Sequence, residues 1–212
     1  MKLLEIHNLT LRVPGVERPI LEKVSFNLDA LERIALIGAN GSGKSSLVKC
    51  LVGQMTASSG EILLAGKAIS SYTPEKRRNL IRILGQDSSR YVFLDLTVQE
   101  NMQLAARFAG VSCFSSAFLE QIRPGLSKHL KKRAAFLSGG ERQALALAMI
   151  LIKPPELLIL DEHTSAIDIV NAQHIVEATE RLAQASITIT HRLNEISSST
   201  ARVLKLEAGC LS

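Results

Sequence analysis

GANGSGKSS, residues 38 to 46, decides the fold. It follows the mostly apolar run Arg33-Ile34-Ala35-Leu36-Ile37 and leads into Ser46-Leu47-Val48-Lys49-Cys50-Leu51-Val52, so the local order is strand, glycine loop, helix. The stretch fits G-x-x-x-x-G-K-[ST]. Gly38, Gly41 and Gly43 let the backbone enter left-handed conformations and approach a ligand with no Cβ in the way, so successive N–H groups can converge on anionic oxygens. The helix starting near Gly43 adds its unpaired N–H groups and the positive end of its dipole. Lys44 is placed to reach terminal phosphates and the Ser45 hydroxyl to ligate Mg²⁺. A glycine-rich turn holding a lysine by chance would account for the residues, but not for the strand before them and the helix after. The whole loop, Gly38, Ala39, Asn40, Gly41, Ser42, Gly43, Lys44, Ser45 and Ser46, is expected to cradle the phosphates of a nucleotide.

Further along, Glu156-Leu157-Leu158-Ile159-Leu160 is almost continuously apolar, the pattern of a parallel strand covered on both faces, and it runs into Asp161-Glu162. Ligands of open α/β sheets bind at the carboxyl ends of strands, which brings these two acids toward the phosphate loop. Asp161 is expected to hold the magnesium and Glu162 to polarise an attacking water. Two acids capping a strand before a turn is the plainer reading of the pair taken alone.

An ordered series of motifs then accumulates: the phosphate loop, Gln86 after the strand Ile81-Arg82-Ile83-Leu84, LSGGE at 137 to 141, LLILDE at 157 to 162, Ser165-Ala166-Ile167-Asp168, and His191 after Ile187-Thr188-Ile189-Thr190. In order and spacing this resembles the ATP-binding cassette (ABC) ATPases over essentially the whole chain. The resemblance implies an α/β fold with a P-loop NTPase core, an N-terminal antiparallel β layer and an inserted helical subdomain. It implies ATP and Mg²⁺ as ligands, Gln86 touching the metal and the lytic water and coupling to a membrane partner, and His191 reading the γ-phosphate. It also implies that Ser138, Gly139, Gly140 and Glu141 face the nucleotide held by another subunit, and that residues 165 to 168 communicate between subunits.

The LSGGE stretch has a local reading as well. Ser138 and Glu141 fit a capping box that opens the apolar helix 141 to 152, and a capped, glycine-rich helix start is itself an anion site. Thr97-Val98-Gln99-Glu100 carries the same capping pattern with no nucleotide role implied, and reads as structure.

The 212 residues suffice for a single large domain, expected as a core of 1–86 and 137–212 with a helical subdomain at about 87–136. Apolar residues make up 46%, yet the longest such run, Ala144 to Ile152, falls far short of the roughly 20 needed to cross a bilayer. MKLLEIHNL is broken by Glu5, His7 and Asn8 and lacks a signal-peptide pattern, so a cytoplasmic chain, peripheral on the inner face of the membrane, is expected. Cys50, Cys113 and Cys210 lack metal-site spacing and favour free thiols. The net charge of +5 gathers at Lys76-Arg77-Arg78 and at Lys128-His129-Leu130-Lys131-Lys132-Arg133, but no aromatics interleave there, which argues against nucleic acid and for solvated faces or anionic headgroups.

Stretches 3–9, 20–28 and 61–65 read as strands, 97–109, 115–122, 126–132 and 168–183 as helices, and 202–206 as a last strand. Pro154-Pro155 stops the signature helix. Three departures from the family pattern stand out. Val13 occupies the position where many members stack an aromatic on adenine, Ala144 and Met149 replace arginines of the signature helix, and His163 replaces a frequent proline. The last, in DEHTSAID, resembles a subgroup of bacterial importers that work with lipoprotein binding proteins, and tilts the expectation toward import.

The resemblance thus implies an ATPase working as a homodimer or with a related ABC ATPase, alongside transmembrane subunits and a substrate-binding protein. The alternatives are a non-transport ABC ATPase of the repair or ribosome-associated kind, and a regulatory partner that only binds ATP.

Overall fold

A computed structural model of the chain describes residues 2–85, 87–161, 169–190 and 201–212. The chain divides into two compact units, one made of Met1–Arg82, Glu156–Asp161 and Gln184–Ser212, the other of Ile83–Pro155 and Glu162–Ala183.

The first unit holds two sheets. In the antiparallel one, β1 (Lys2–Leu11) lies between β2 (Leu21–Asp29) and β4 (Ser59–Leu64), with β5 (Lys67–Ala68) beyond β4. Leu4, Ile6, Leu9 and Leu11 are all buried, although strict alternation from Ile6 would turn Leu9 and Leu11 to the other face. The register of β1 against β2 shifts between Ile6 and Leu9, where Asn8 takes φ 48° and its N–H donates to Ser25 Oγ at 2.8 Å. Asparagine tolerates that left-handed conformation, so a bulge corrects the phase and all four side chains reach the same core.

The second sheet has the order β10-β9-β3-β8-β7-β6, built from β3 (Arg33–Ile37), β7 (Leu157–Asp161), β8 (Ala185–Ile189), β9 (Ala201–Glu207) and β10 (Cys210–Leu211); β6 (Ile81–Gly85) contributes Ile81 and Arg82 to this unit. β3 pairs in parallel with β8 and β9, and β7 pairs in parallel with β8. Leu157 to Leu160 are buried throughout, as their unbroken apolar run predicts for a strand covered on both faces. Helix α1 (Lys44–Leu51) follows β3 through the glycine loop; on α2 (Pro74–Leu80) Lys76 and Arg78 are exposed, while Arg77 is half-buried and donates to the Tyr72 carbonyl at 3.1 Å.

The second unit is helical. α5 (Gly139–Leu151) is apolar nearly all round and buried along most of its length, and it touches α3 (Val98–Ala109), α4 (Ser116–Ile122) and α6 (Ile169–Leu182). Thr97 closes the expected capping box with Glu100, and Gly110 ends α3 at φ 69°. The helix expected over 126–132 is confined to a single 3₁₀ stretch, Leu126–His129. Beyond it, the carbonyls of Leu130 and Lys132 accept the N–H groups of Gln99 and Val98 at 2.9 and 3.0 Å. That segment therefore satisfies the open donors at the start of α3 instead of continuing a helix. Cys50, Cys113 and Cys210 are free thiols, and burial pushes the Cys50 thiol above its ordinary pKa.

Candidate nucleotide site

The phosphate loop leaves the end of β3 in an open, glycine-shaped path. Gly41 and Gly43 sit at φ 80° and 108°, and Gly43 is the N-cap of α1, whose first turn carries no acidic residue to offset the dipole. A Cβ on Gly43 would lie 2.8 Å from the Ile20 carbonyl oxygen, and one on Gly38 would press into the Leu206 carbonyl and come within 2.7 Å of Ser42 Oγ. Lys44 is 6% exposed, its Nζ donating to the carbonyls of Gly38 at 2.6 Å and Ala39 at 2.9 Å. Its charge is thus held against the loop it serves. Ser42 is 5% exposed and its Oγ is buried without a hydrogen-bond partner among the described residues, an arrangement that costs free energy until an acceptor or donor arrives. A phosphate oxygen would meet that need, and the space beside Gly41 is open, with nothing within 4 Å of an added Cβ. Ser45 is exposed, Ser46 half-buried, and Ala39, Asn40 and Gly41 line the exposed rim.

Asp161 ends β7, paired with Ile189 of β8, which in turn pairs with Leu36 of β3. Asp161 therefore stands two strand spacings, about 10 Å, from the residues that enter the loop, on the same carboxyl edge. An exposed hydroxyl at Ser45 and a carboxylate at Asp161 are the hard oxygen donors that Mg²⁺ accepts. Gln86, Glu162, His163, residues 165 to 168 and His191 lie outside the described residues.

Sequence reasoning missed the supports of this loop. Gly209, in the turn between β9 and β10, donates its N–H to the Ser42 carbonyl at 3.1 Å and accepts from Glu22 N at 2.9 Å. The loop is thus braced by a hairpin more than 160 residues away in sequence. Its only sequence trace is an isolated glycine near the chain end. Val13, expected near adenine, sits half-buried in a turn closed by Val16 N to Val13 O at 3.1 Å.

In the second unit, the capping box at the signature is fully formed. Ser138 N donates to Glu141 Oε2 at 2.9 Å and Glu141 N to Ser138 Oγ at 3.2 Å, starting the helix at Gly139, ahead of the position expected. Ser138 and Gly139 are exposed and Gly140 is buried. Burial alone would raise the Glu141 carboxyl, but the Ser138 N–H, the Ser138 hydroxyl and the nearby His129 and Lys132 side chains outweigh it and hold its pKa below the ordinary glutamate value. Gln143, 1% exposed, donates to the Gly85 carbonyl at 3.0 Å, and Gly85 N donates to Tyr91 Oη at 3.0 Å. Two side chains thus pin the backbone immediately before Gln86, a link that the sequence does not announce.

After Gln86 the chain carries an apolar run, Tyr91-Val92-Phe93-Leu94. Val92 is buried and Tyr91 and Leu94 are half-buried, so of this run only Phe93 is exposed, at 51%. Asn101, fully buried, holds it there: Phe93 N donates to Oδ1 at 2.8 Å, and Nδ2 donates to the carbonyls of Phe93, Leu96 and Thr97 at 3.0, 3.3 and 3.0 Å.

The ABC transporter family model matches residues 21–165. A tyrosine transport ATP-binding protein of Clostridioides difficile is 31% identical, with 98% of this chain and 89% of the relative covered. An ATP-dependent lipid A-core flippase of Pseudomonas fluorescens is 34% identical over 91% of this chain, which spans only 34% of the flippase. A bacterial Atm1-family ABC exporter solved with ATP bound superposes with a TM-score of 0.82 at 28% identity, covering 100% of this chain and 38% of the exporter. With a flippase and an exporter among these relatives, the tilt toward import and toward the lipoprotein-dependent importer subgroup is not supported, nor is a substrate-binding protein. Among the described residues no helix is long and apolar enough to cross a membrane. The chain belongs to the ABC transporter family, as an ATP-binding subunit whose ATP hydrolysis is coupled to transport.

Proposed function

We propose that two such subunits, two copies of this chain or one copy and a related ABC ATPase, close head to tail on two ATP molecules and reopen after hydrolysis, driving separate transmembrane subunits from the inner face of the membrane. The observation that carries this reading is the pair of anion-ready helix starts. One is the loop 38–46, with its orphaned Ser42 Oγ and its unopposed α1 dipole; the other is the exposed, capped start at Ser138-Gly139. They belong to different compact units, and a site assembled between subunits uses both.

In this reading Gly38 to Ser46 wrap the phosphates of one ATP, with Lys44 leaving the Gly38 and Ala39 carbonyls for phosphate oxygens. The Ser138, Gly139, Gly140 and Glu141 surface of the opposing subunit completes the shell. Ser45, Asp161 and Gln86 hold Mg²⁺, which when bound draws charge from the phosphates and orients them. Glu162 takes a proton from the attacking water, and His191 contacts the γ-phosphate, both by resemblance to the family. Residues 1–212 act as one ATPase domain whose helical part, about 87–136, carries the contact with the membrane subunits through the segment after Gln86. The 89% coverage of a transport ATP-binding protein supports an ATPase subunit separate from its membrane partners.

The test is turnover against protein concentration. Mg²⁺-dependent ATPase per subunit is expected to rise steeply with concentration, to vanish in Lys44→Ala, and to vanish in Ser138→Arg while that variant still binds ATP in its own loop. Full turnover in a demonstrated monomer overturns the proposal.

A further inference from the structure

The Glu141 carboxylate divides its oxygens between two tasks. Oε2 accepts the Ser138 N–H at 2.9 Å, which completes the capping box. Oε1 faces His129 Nε2 at 3.2 Å and Arg123 NH1 at 3.8 Å, with the Glu141 and Arg123 side chains only 15% and 19% exposed. The chain segment that carries His129 is itself fixed. Glu120 of α4 accepts the N–H groups of Gly125 at 2.8 Å and Ser127 at 3.1 Å and also takes the Ser127 hydroxyl, and Lys132 N donates to the His129 carbonyl at 2.8 Å. Two preceding segments, the end of α4 and the 3₁₀ stretch, therefore converge on one carboxylate at the foot of the signature helix.

Such a convergence answers an electrostatic conflict. A helix start favours anions, and a carboxylate in its first turn already occupies part of that favourable field. A second anion, the γ-phosphate of an opposing subunit, would meet the negative charge of Glu141 as well as the helix dipole. Arg123 at the end of α4 and Lys132 after the 3₁₀ stretch carry fixed positive charge beside Glu141, and His129 adds a charge that depends on its protonation. Among the described residues, these are charged and titratable groups that act on Glu141. Imidazole is the side chain whose charge ordinarily changes between about pH 5 and 8.

We propose that His129, supported by Arg123, is a positioning residue for ATP hydrolysis: it anchors the Glu141 carboxylate so that the Ser138 cap keeps its shape, and when protonated it cancels the carboxylate charge that would oppose the incoming γ-phosphate. His129 touches no nucleotide in this arrangement. The inference rests on the signature surface completing the site of an opposing subunit.

ATPase activity of the full chain tests it, with turnover, single-site ATP affinity and melting temperature measured together across pH 5.5 to 8.5. His129→Ala is expected to lower turnover about fivefold, the equivalent of one net hydrogen bond, with ATP affinity of the chain's own loop unchanged. His129→Lys restores the charge, recovers turnover and removes the imidazole-dependent part of the pH profile. In a Glu141→Gln background, which has no carboxylate to neutralise, His129→Ala has no further effect. If His129→Ala folds poorly, His129→Gln keeps a side-chain donor without the charge and is expected to reproduce the high-pH turnover at every pH. The proposal is overturned if neither substitution changes turnover, if the loss persists undiminished with Gln at 141, or if Lys at 129 gives no rescue. Turnover surviving in Ser138→Arg sinks the paired-site reading and this proposal with it; turnover lost there with no His129 effect sinks this proposal alone.

Discussion

Gly38→Ala isolates the physical origin of the phosphate loop's shape. Gly38 has no left-handed conformation to defend, so an alanine there meets no intrinsic backbone penalty. What it meets is the Leu206 carbonyl, driven inside contact distance, and Ser42 Oγ at 2.7 Å. Ser42 can rotate; a backbone carbonyl in a strand paired with β3 cannot. The loop or β9 must move, and forcing an extra methyl into packed surroundings costs about 1 to 3 kcal/mol. If the displacement falls on the loop, Lys44 loses its Gly38 contact and the phosphate-facing N–H groups lose their convergence, so ATP affinity is expected to drop by about 5- to 150-fold. Gly41→Ala is the contrast. Nothing lies within 4 Å of its added Cβ, but φ is 80°, so its cost is conformational, about 1 to 2 kcal/mol, with no pressure on β9. Titration with ATP and thermal denaturation of both variants separate the effects, because Gly38→Ala is expected to lower ATP affinity more than Gly41→Ala at a comparable loss of melting temperature. Wild-type affinity in Gly38→Ala, or an affinity loss no larger than that of Gly41→Ala, would refute the argument that distant backbone shapes this loop.

Three further outcomes are expected. Asn101→Ala removes the acceptor of the Phe93 N–H and a second donor from the carbonyls of Phe93, Leu96 and Thr97, which keep their backbone donors, and should destabilise the helical unit by about 1 to 3 kcal/mol in urea denaturation, with proteolysis first appearing between residues 87 and 97. Phe93→Asp, at a half-exposed position, should leave melting and ATP binding near wild type while weakening co-sedimentation with membranes carrying the transmembrane subunits; unfolding of the isolated chain would mean that the ring is core. The Glu141 carboxyl titrates below the ordinary glutamate value, so its stabilisation is fully present above that ordinary value and is lost as pH falls through the depressed one. Glu141→Gln should therefore flatten part of the acid limb of melting temperature against pH, and an unchanged acid limb would show that the carboxylate is not held as described.

The elements legible in the sequence are those that local signals specify. The capping boxes at Thr97 and Ser138 formed because each requires only a hydroxyl and a carboxylate three residues apart at a helix start. β7 was legible because burial on both faces leaves no polar position in Leu157 to Leu160. The segment 126–132 has apolar and basic residues at helical spacing but is not a helix beyond His129, because the carbonyls of Leu130 and Lys132 are drawn away to the open N–H groups of α3. Of the apolar run 91–94 only Phe93 is exposed, because a buried side chain, Asn101, ties that segment down, a contact that the run itself does not announce.

By itself the sequence determined the strand–loop–helix at 33 to 51, the capped signature helix, the apolar parallel strand ending in Asp161, and through them the ABC ATPase fold. Each depends on residues within a turn or a strand of one another, where spacing alone dictates which groups meet. Only the tertiary structure decided that Leu206 and Gly209 shape the loop at Gly38 and Ser42, that Gln143 pins Gly85 beside the glutamine loop, and that His129 and Arg123 share the Glu141 carboxylate. Those partners are far apart in sequence or carried on separate segments. They meet because strand register and helix packing fix relative positions that no local pattern encodes.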